Sequence, residues 1–324
     1  MKKIFCFGII GLFMSIGAFA QAQTLTWTAG GVGGGWYAIA GGISNIVNEK
    51  SGGITIKVIP GGGTVNPRLV DKGDCELGWG LPFLNVAAWN GEDPYDKKHS
   101  NLRAIAGGMS LNFFHFYVAA DSPIKTMDEV FKQKKALRIA ISPTGTSDEW
   151  VFRKVLAHYK VDYKDLESAG FKFFRGSYAE QASQFKDRNV DSVFTFLALP
   201  GAAITEASIG RSLRLIEFSP EVLKSLLQYG IESGKIPAGT YPKAANADQN
   251  VTTAIAGSVI LVNKGVSDDV AYRMAKVIHE NLDQFRKIHG SLAPYQLKDA
   301  VTGLGLIPLH PGAEKYYKEK GVLK

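Results

Sequence analysis

The chain has 324 residues, of which 45% are hydrophobic and 21% charged, and its formal net charge is +7. This is an ordinary globular composition, and the length suits two domains or one large one with a core that needs no disulfides. Lysine and arginine never occur in runs of more than two, so the charge is spread out and a nucleic-acid partner is disfavoured.

The N-terminus has the features of a secretory signal peptide. Two lysines precede an apolar run over residues 4–19, and Ala18-Phe-Ala20 supplies a small-x-small cleavage site. A membrane anchor is the alternative, but the run is short for a span and ends in the cleavage pattern. We therefore expect residues 1–20 to be removed near Ala20, or near Ala22, and the mature protein to be exported to the periplasm.

The mature chain then alternates strands and helices. In its first part, strands are predicted over 24–30, 54–60, 75–80, 102–108 and 113–120, and helices from Trp36, over 67–73 and over 82–91. Cys75 would be the sole cysteine after cleavage, and its place in a strand favours a buried, inert thiol. The βα alternation predicts an α/β fold with a mostly parallel sheet flanked by helices.

The same order then recurs. Strands are predicted over 137–142, 171–176 and 190–196, and helices over 148–159 and 178–187, so we expect two lobes of like architecture. Further on come a strand over 213–218, a Gly/Pro-rich loop over 229–250, a strand over 251–263 and a helix from Ser267 to about His289. This last third is predicted to complete the first lobe. Lobe 1 would comprise 24–117 plus 215–324 and lobe 2 would comprise 118–214, with two interlobe crossings.

Nucleotide binding and catalysis find little support in the motifs. Gly33-x-Gly35-x-x-Ala38 fits a relaxed dinucleotide fingerprint, but the next strand ends at Pro60 without the acid that would hold a ribose. The six histidines do not group at metal-ligand spacing, and no nucleophile elbow is present. We expect no cofactor, no metal and no enzymatic activity, although a nucleophile and base far apart in sequence stay possible.

Two glycine- and hydroxyl-rich loops favour anion binding instead. Gly33, Gly34 and Gly35 precede the first predicted helix, and the loop "SPTGTS" precedes its counterpart in the second lobe. Helix N-termini carry free N–H groups and partial positive charge, and ligands of parallel sheets bind beyond the carboxyl ends of the strands. Two facing lobes would therefore clamp a small anionic or zwitterionic molecule.

Longer segments resemble the TAXI family of solute receptors, which serve tripartite ATP-independent periplasmic (TRAP) transporters. The similarity covers nearly the whole mature chain, in "TAGGVGGGWYAIAGGISNIVNE", "GGTVNPRLVDKGDCELGWG", "ISPTGTSDEW", "GSYAEQASQFKDRNVDSVF" and, most specifically, "GLIPLHPGAEKYYKEKGVL". The resemblance implies a two-lobed, flytrap-like (type II) binding fold. It also implies capture of a small organic solute, often an amino acid or dicarboxylic acid, and delivery to an integral-membrane transporter driven by an ion gradient.

Position within these segments predicts the ligand-binding residues. They are Gly33, Gly34, Gly35, Trp36, Tyr37, Thr64, Asn66, Pro82 and Phe83 in lobe 1, and Thr144, Gly145, Thr146, Ser147, Arg175, Phe196 and Leu199 in lobe 2. The aromatic residues either stack on the solute or pack beneath it. Pro82 and Phe83 stand where the family has polar residues, and Arg175 where it is often uncharged. Arg175 either pairs with a ligand carboxylate or is a surface residue.

We therefore predict a monomeric, extracytoplasmic receptor that captures a small organic carboxylate between two lobes and delivers it to a TRAP transporter. One alternative is a ligand-binding receptor that reports to a membrane sensor kinase. Others are an enzyme on the same scaffold and a structural or adhesive surface protein without saturable ligand binding.

Overall fold

The computed structural model describes residues 23–31 and 34–324, so the predicted signal peptide and Gly33 lie outside the described residues. Within those ranges the chain forms ten strands, β1 (Gln23–Thr28), β2 (Ile54–Ile59), β3 (Leu77–Gly80), β4 (Leu102–Ala119), β5 (Arg138–Ile141), β6 (Lys172–Arg175), β7 (Ser192–Ala198), β8 (Leu213–Ile216), β9 (Glu232–Ile236) and β10 (Val251–Asn263).

The same ranges contain twelve α-helices and two short 3-10 helices. The α-helices are α1 (Gly35–Lys50), α2 (Asn66–Lys72), α3 (Pro82–Asn90), α4 (Met127–Phe131), α5 (Ser147–His158), α6 (Tyr163–Ser168), α7 (Tyr178–Lys186), α8 (Ala202–Gly210), α9 (Pro220–Leu227), α10 (Asp268–Glu280), α11 (Leu282–Arg286) and α12 (Pro311–Glu319). The 3-10 helices are Gly290–Leu292 and Leu297–Val301.

One sheet connects all ten strands, in the order β2-β1-β3-β10-β4-β7-β5-β6, with β8 beside β4 and β9 beside β10. At one end β1 is parallel to β2 and β3, and at the other β5 is parallel to β6 and β7. We name the part built on β1, β2 and β3 the first half and the part built on β5, β6 and β7 the second half. The predicted α/β class, with helices flanking parallel strands, is confirmed.

The two halves are joined by the long antiparallel strands β4 and β10. Residues 102–113 of β4 pair with β10 along one edge, and residues 112–118 pair with β7 of the second half along the other. Within β4, Gly108 and Ser110 have φ values of 62° and 42°, which bend the strand without ending it. The sequence analysis split this segment into two strands at its glycines. That prediction was wrong, because the bend keeps the strand's hydrogen bonds.

Two further sequence predictions need correction. The loop predicted over 229–250 contains β9, which pairs with β10 from Glu232 to Ile236. The helix from Ser267 ends at Glu280, and Asn281 separates it from α11. Alternating glycine and polar residues hid the short edge strand, and the apolar pattern of α11 runs on in phase with α10.

The division into lobes stays a prediction, but the strand register moves its boundaries. β4 gains β7 as a partner from residue 112, where its pairing with β10 is about to end, and β10 leaves β9 near residue 256. β8, where a crossing was expected, pairs with Phe116–Ala119 and so lies wholly in the second half. These strand pairings favour a second lobe of about 111–256.

The C-terminal segment packs against the first half. α12 packs on α10, and the Tyr317 hydroxyl donates to the Ile105 carbonyl of β4 at 2.9 Å. His310 caps α12 by accepting from Gly312 N–H, and its Nε2 lies 2.9 Å from the Val266 carbonyl. Cys75 is 2% exposed, which confirms the prediction of a buried thiol, and this burial raises its pKa.

Candidate functional site

A cavity of about 720 Å³ lies between the two halves. Its walls come from segments at the ends of parallel strands. They are residues 30–31 and 34–36 after β1, residues 61–63 after β2, residues 142–143 and 146–148 after β5, and residues 175–180 at the end of β6 and after it. Ser110 and Asn112 of β4 and residues 196–198 of β7 form its floor. This is the position at which parallel sheets bind ligands.

Three helices begin at this cavity. α1 begins at Gly35 in the first half, and α5 at Ser147 and α7 at Tyr178 in the second, each after a different parallel strand. A helix N-terminus presents unpaired N–H groups and a partial positive charge. The arrangement therefore gives the cavity positive potential from both halves without a cluster of basic side chains.

The helix ends of the two halves are capped differently. Thr146 and Ser177 cap α5 and α7 by accepting from the N–H groups of Glu149 and Glu180. The N-cap residue of α1 is Gly34, which has no side chain to offer. The first turn of α1 is thus the better placed to bond to a ligand, since its N–H groups have no competing hydroxyl at the cap.

Asn66 holds the glycine loop of the first half from beneath. Its Oδ1 accepts from the Thr28 hydroxyl at 2.9 Å and from Gly62 N–H at 2.8 Å, while its Nδ2 donates to the carbonyls of Ala29 (2.7 Å) and Trp79 (3.0 Å). The side chain is fully buried and does not line the cavity. Its hydrogen-bonding capacity is used to fix the loop.

Thr64 connects the two halves. It is 3% exposed, and its hydroxyl donates to the carbonyl of Gly145, a residue with a φ of 87° in the loop after β5. One residue earlier, a Cβ on Gly63 would lie 2.9 Å from the Ser147 Cβ. The glycine therefore permits a close approach that a larger residue would prevent, and the halves touch at this rim of the cavity.

Asp148 organises the wall of the second half. The side chain accepts four hydrogen bonds, from the hydroxyls of Ser142 (3.0 Å), Ser147 (3.2 Å) and Tyr178 (3.3 Å) and from Phe196 N–H (3.2 Å). These donors come from α5, α7, β7 and the residue that follows β5. Burial raises the pKa of this carboxyl. Asp148 thus ties together four parts of the second half, and its oxygens already accept hydrogen bonds.

Arg175 is the one cationic side chain that lines the cavity among the described residues. It is exposed, and its guanidinium lies over the Tyr163 ring at 4.4 Å from the ring centre. Glu180 also lines the cavity, but it accepts from the Ser177 hydroxyl (2.8 Å) and N–H (2.7 Å), which lower its pKa. Arg175 is therefore positioned to meet an anion, while Glu180 is held to the helix end.

Two aromatic side chains are fixed at the cavity surface. The Trp36 indole N–H donates to the Ser258 hydroxyl at 2.9 Å, and its ring stacks on Trp79 with 5.9 Å between centroids. Phe196 stacks on Phe114 at 4.0 Å. Because both rings are held by the protein itself, they offer a rigid apolar surface to a bound molecule.

The structure brings together seven of the sixteen predicted site residues around the cavity. They are Gly34, Gly35, Trp36, Thr146, Ser147, Arg175 and Phe196. Beyond the predicted set, the cavity is lined by further residues that include Gly61, Gly62, Gly63, Ser110, Asn112, Asp148 and Tyr178. The sequence could have indicated Ser110 and Asn112, because these two polar residues interrupt the apolar run of β4.

The remaining predicted residues lie elsewhere, apart from Gly33, which is outside the described residues. Tyr37 packs against the first-half core, Leu199 packs against a second-half cluster, and Thr144 is exposed. Pro82 starts α3 and lines a separate groove with Leu304 and Leu306. Thr64, Asn66 and Gly145 support the cavity loops as described above.

Phe83 belongs to a contact between the halves at the side of the cavity. Its buried ring stacks on Trp150 of α5 with 5.5 Å between centroids. Nearby, the Asp93 carboxylate of the first half accepts from the Trp150 indole N–H at 2.9 Å and from Lys154 Nζ at 2.8 Å. Arg153 of α5 lies 3.5 Å from the same carboxylate. Burial alone would raise the pKa of Asp93, but Lys154 and Arg153 together hold it below its usual range.

The Asp93→Ala variant should favour a more open arrangement of the halves. It removes one indole hydrogen bond and the partly exposed ion pairs with Lys154 and Arg153, together worth about 1–2 kcal/mol, or roughly a five- to thirtyfold change in the open-to-closed ratio. Distances between one spin label on each half would measure this shift. Asp96→Ala, in the same exposed loop, is the matched control, and equal distance distributions in the two variants would contradict the expectation.

No described helix is long and apolar enough to cross a membrane. Across residues 23–31 and 34–324, no three His, Cys, Asp or Glu side chains are grouped so that they could hold a metal ion.

Comparison with solved structures defines the class of fold. The chain aligns with the malate-bound MatC of Rhodopseudomonas palustris at 14% identity and a TM-score of 0.54, over 93% of this chain and 99% of that one. It aligns with the periplasmic binding protein BugD at 12% identity and a TM-score of 0.55 (92% and 98% covered). A structure described as a periplasmic transporter gives 13% and 0.52 (94% of each chain). The fold is that of periplasmic binding proteins, as the sequence analysis predicted.

The family follows from the sequence itself. The profile of the NMT1-like family matches residues 27–321, which is nearly all of the described chain. The protein therefore belongs to the NMT1-like family.

Proposed function

We propose that this protein is an extracytoplasmic solute receptor that binds a small organic anion or zwitterion between its two halves. The observation that carries the proposal is the convergence of three helix N-termini, one from the first half and two from the second, on one cavity. Such ends stabilise a carboxylate by N–H donation and by their dipoles. A ligand that bonds to both halves at once favours the closed arrangement over the open one.

The proposal also includes a membrane transporter as the partner of the receptor. The sequence segments that resemble TAXI receptors favour delivery of the solute, by a monomeric receptor in the periplasm, to a TRAP transporter. The fold of MatC, BugD and the other aligned periplasmic protein supports a receptor, since these share the architecture over almost their whole length.

Calorimetric titration of refolded, ligand-free protein with small carboxylates tests the receptor role. The panel contains malate, glutamate, 2-oxoglutarate, 3-phenylpropionate and indole-3-acetate. One-to-one saturable binding of at least one acid is expected. Absence of binding across the panel by a folded protein would overturn the carboxylate-receptor proposal.

Arg175→Ala should weaken the affinity for whichever acid binds. A guanidinium–carboxylate hydrogen bond contributes about 1.5–3 kcal/mol, so a loss of roughly ten- to a hundredfold in Kd is expected. Lys172→Ala is the matched control, because Lys172 is an exposed cation on the same strand and does not line the cavity. An equal loss in both variants would mean that only overall charge matters.

A further inference from the structure

The cavity is large although the two halves already touch. Thr64 bonds to Gly145 at one rim, and Asp93 bonds to Trp150 and Lys154 at the side. If the halves closed further, the atoms of these residues would overlap. The volume of about 720 Å³ is therefore close to the space that a captured molecule has available.

That space does not restrict the ligand to the smallest acids. Liquid water occupies about 30 Å³ per molecule, so the cavity holds about 24 groups of that size. A four-carbon diacid has about nine non-hydrogen atoms and a bicyclic aromatic acid about thirteen, so the volume admits both and the lining of the cavity decides between them. The volume lies in the range of sites that enclose larger ligands.

The floor of the cavity offers apolar surface and few free donors. Phe196 and Ala198 share one face of β7, and the Trp36 ring lies at the same cavity. The polar floor residues are largely bonded to protein groups, with Asn112 Nδ2 donating to the Ser110 carbonyl at 2.6 Å and the Ser110 hydroxyl 3.1 Å from that of Ser291. The helix ends and Arg175 thus form the polar part of a site whose remainder is mainly apolar.

Resting on the proposed function, we propose that the solute is a monocarboxylate with an aromatic body, of the arylalkanoic class, rather than a four- or five-carbon diacid or amino acid. Its carboxylate bonds to the helix N-termini and Arg175. Its ring lies along Phe196 and Ala198 against Trp36. At the floor itself the described side chains supply no cation, so a second carboxylate that lay there would be buried without a counter-charge, which is costly.

The calorimetric panel separates this inference from the receptor role. We expect 3-phenylpropionate or indole-3-acetate to bind at least tenfold more tightly than malate, glutamate and 2-oxoglutarate. If a diacid or glutamate binds more tightly than the aryl acids, the inference is overturned and the receptor role stands. If no acid binds, both are overturned.

The Ala198→Leu variant locates the ring. The added side chain would occupy the floor, so the affinity for the aryl acid should fall at least tenfold while a small acid such as acetate is unaffected. Ala293→Leu, at an exposed position outside the cavity, is the matched control. An unchanged affinity in a folded Ala198→Leu protein would overturn the placement of an aromatic body on this floor.

Discussion

The Asp148→Ala variant is expected to lose about 4 kcal/mol of unfolding free energy. The carboxylate accepts hydrogen bonds from Ser142, Ser147, Tyr178 and Phe196 N–H in a buried position. Alanine would leave several of these donors without an acceptor, at about 1–3 kcal/mol for each that finds no other partner. Denaturant unfolding followed by circular dichroism measures the loss.

Two further variants help to interpret the stability loss of Asp148→Ala. Asp148→Asn keeps the shape and one oxygen but turns an NH₂ group toward donors, so an intermediate loss is expected. Asp248→Ala, in an exposed loop, is the control and should be close to wild type. If Asp148→Ala were as stable as the control, the four contacts would not be organising this wall.

Stability should fall steeply as pH is lowered from about 6.5 to about 4.5. Burial lowers the pKa of His115 to about 3 and that of His279 to about 4, from an ordinary value of 6.5. Below pH 6.5 the unfolded chain therefore binds protons that the folded protein excludes, so acid favours unfolding. Each histidine contributes about 1.4 kcal/mol per pH unit, which gives a loss of about 5 kcal/mol over these two units.

Substitution of one histidine at a time isolates this effect. His279 lies 3.0 Å from the Tyr295 hydroxyl and 2.7 Å from the Ala275 carbonyl, and His115 lies 2.9 Å from the Tyr241 hydroxyl. His115→Gln and His279→Gln should each remove about one proton from the pH dependence. His158→Gln, a half-exposed residue of α5, serves as the control. Identical slopes for all three variants would contradict the assignment.

The fold was predictable because its signals are local. Glycines after β1 and the loop "SPTGTS" after β5 mark strand-to-helix junctions, and their repetition indicated two similar units. The bend at Gly108 and Ser110 was misjudged because a strand that continues through glycines looks locally like two strands. The partner strand that keeps it paired, β10, lies far along the chain.

The candidate site was less predictable, for a related reason. Asn66 and Thr64 follow β2, where ligand contacts are common, yet Asn66 bonds to Thr28 and Trp79, and Thr64 to Gly145. A sequence shows that a polar group is near the site but not which distant partner uses it. Asp148 was missed because its role depends on donors from several separate parts of the chain.

The position of β10 has a consequence for the order of assembly. This strand, Val251–Asn263, lies between β3 and β4 in the sheet, although it is made long after both. As the chain grows from its N-terminus, β3 therefore has an unpaired edge until β10 appears, whereas β5, β6 and β7 can pair with one another at once. The nascent protein must keep its earliest strands from pairing with other chains, and its N-terminal part is the last to become complete.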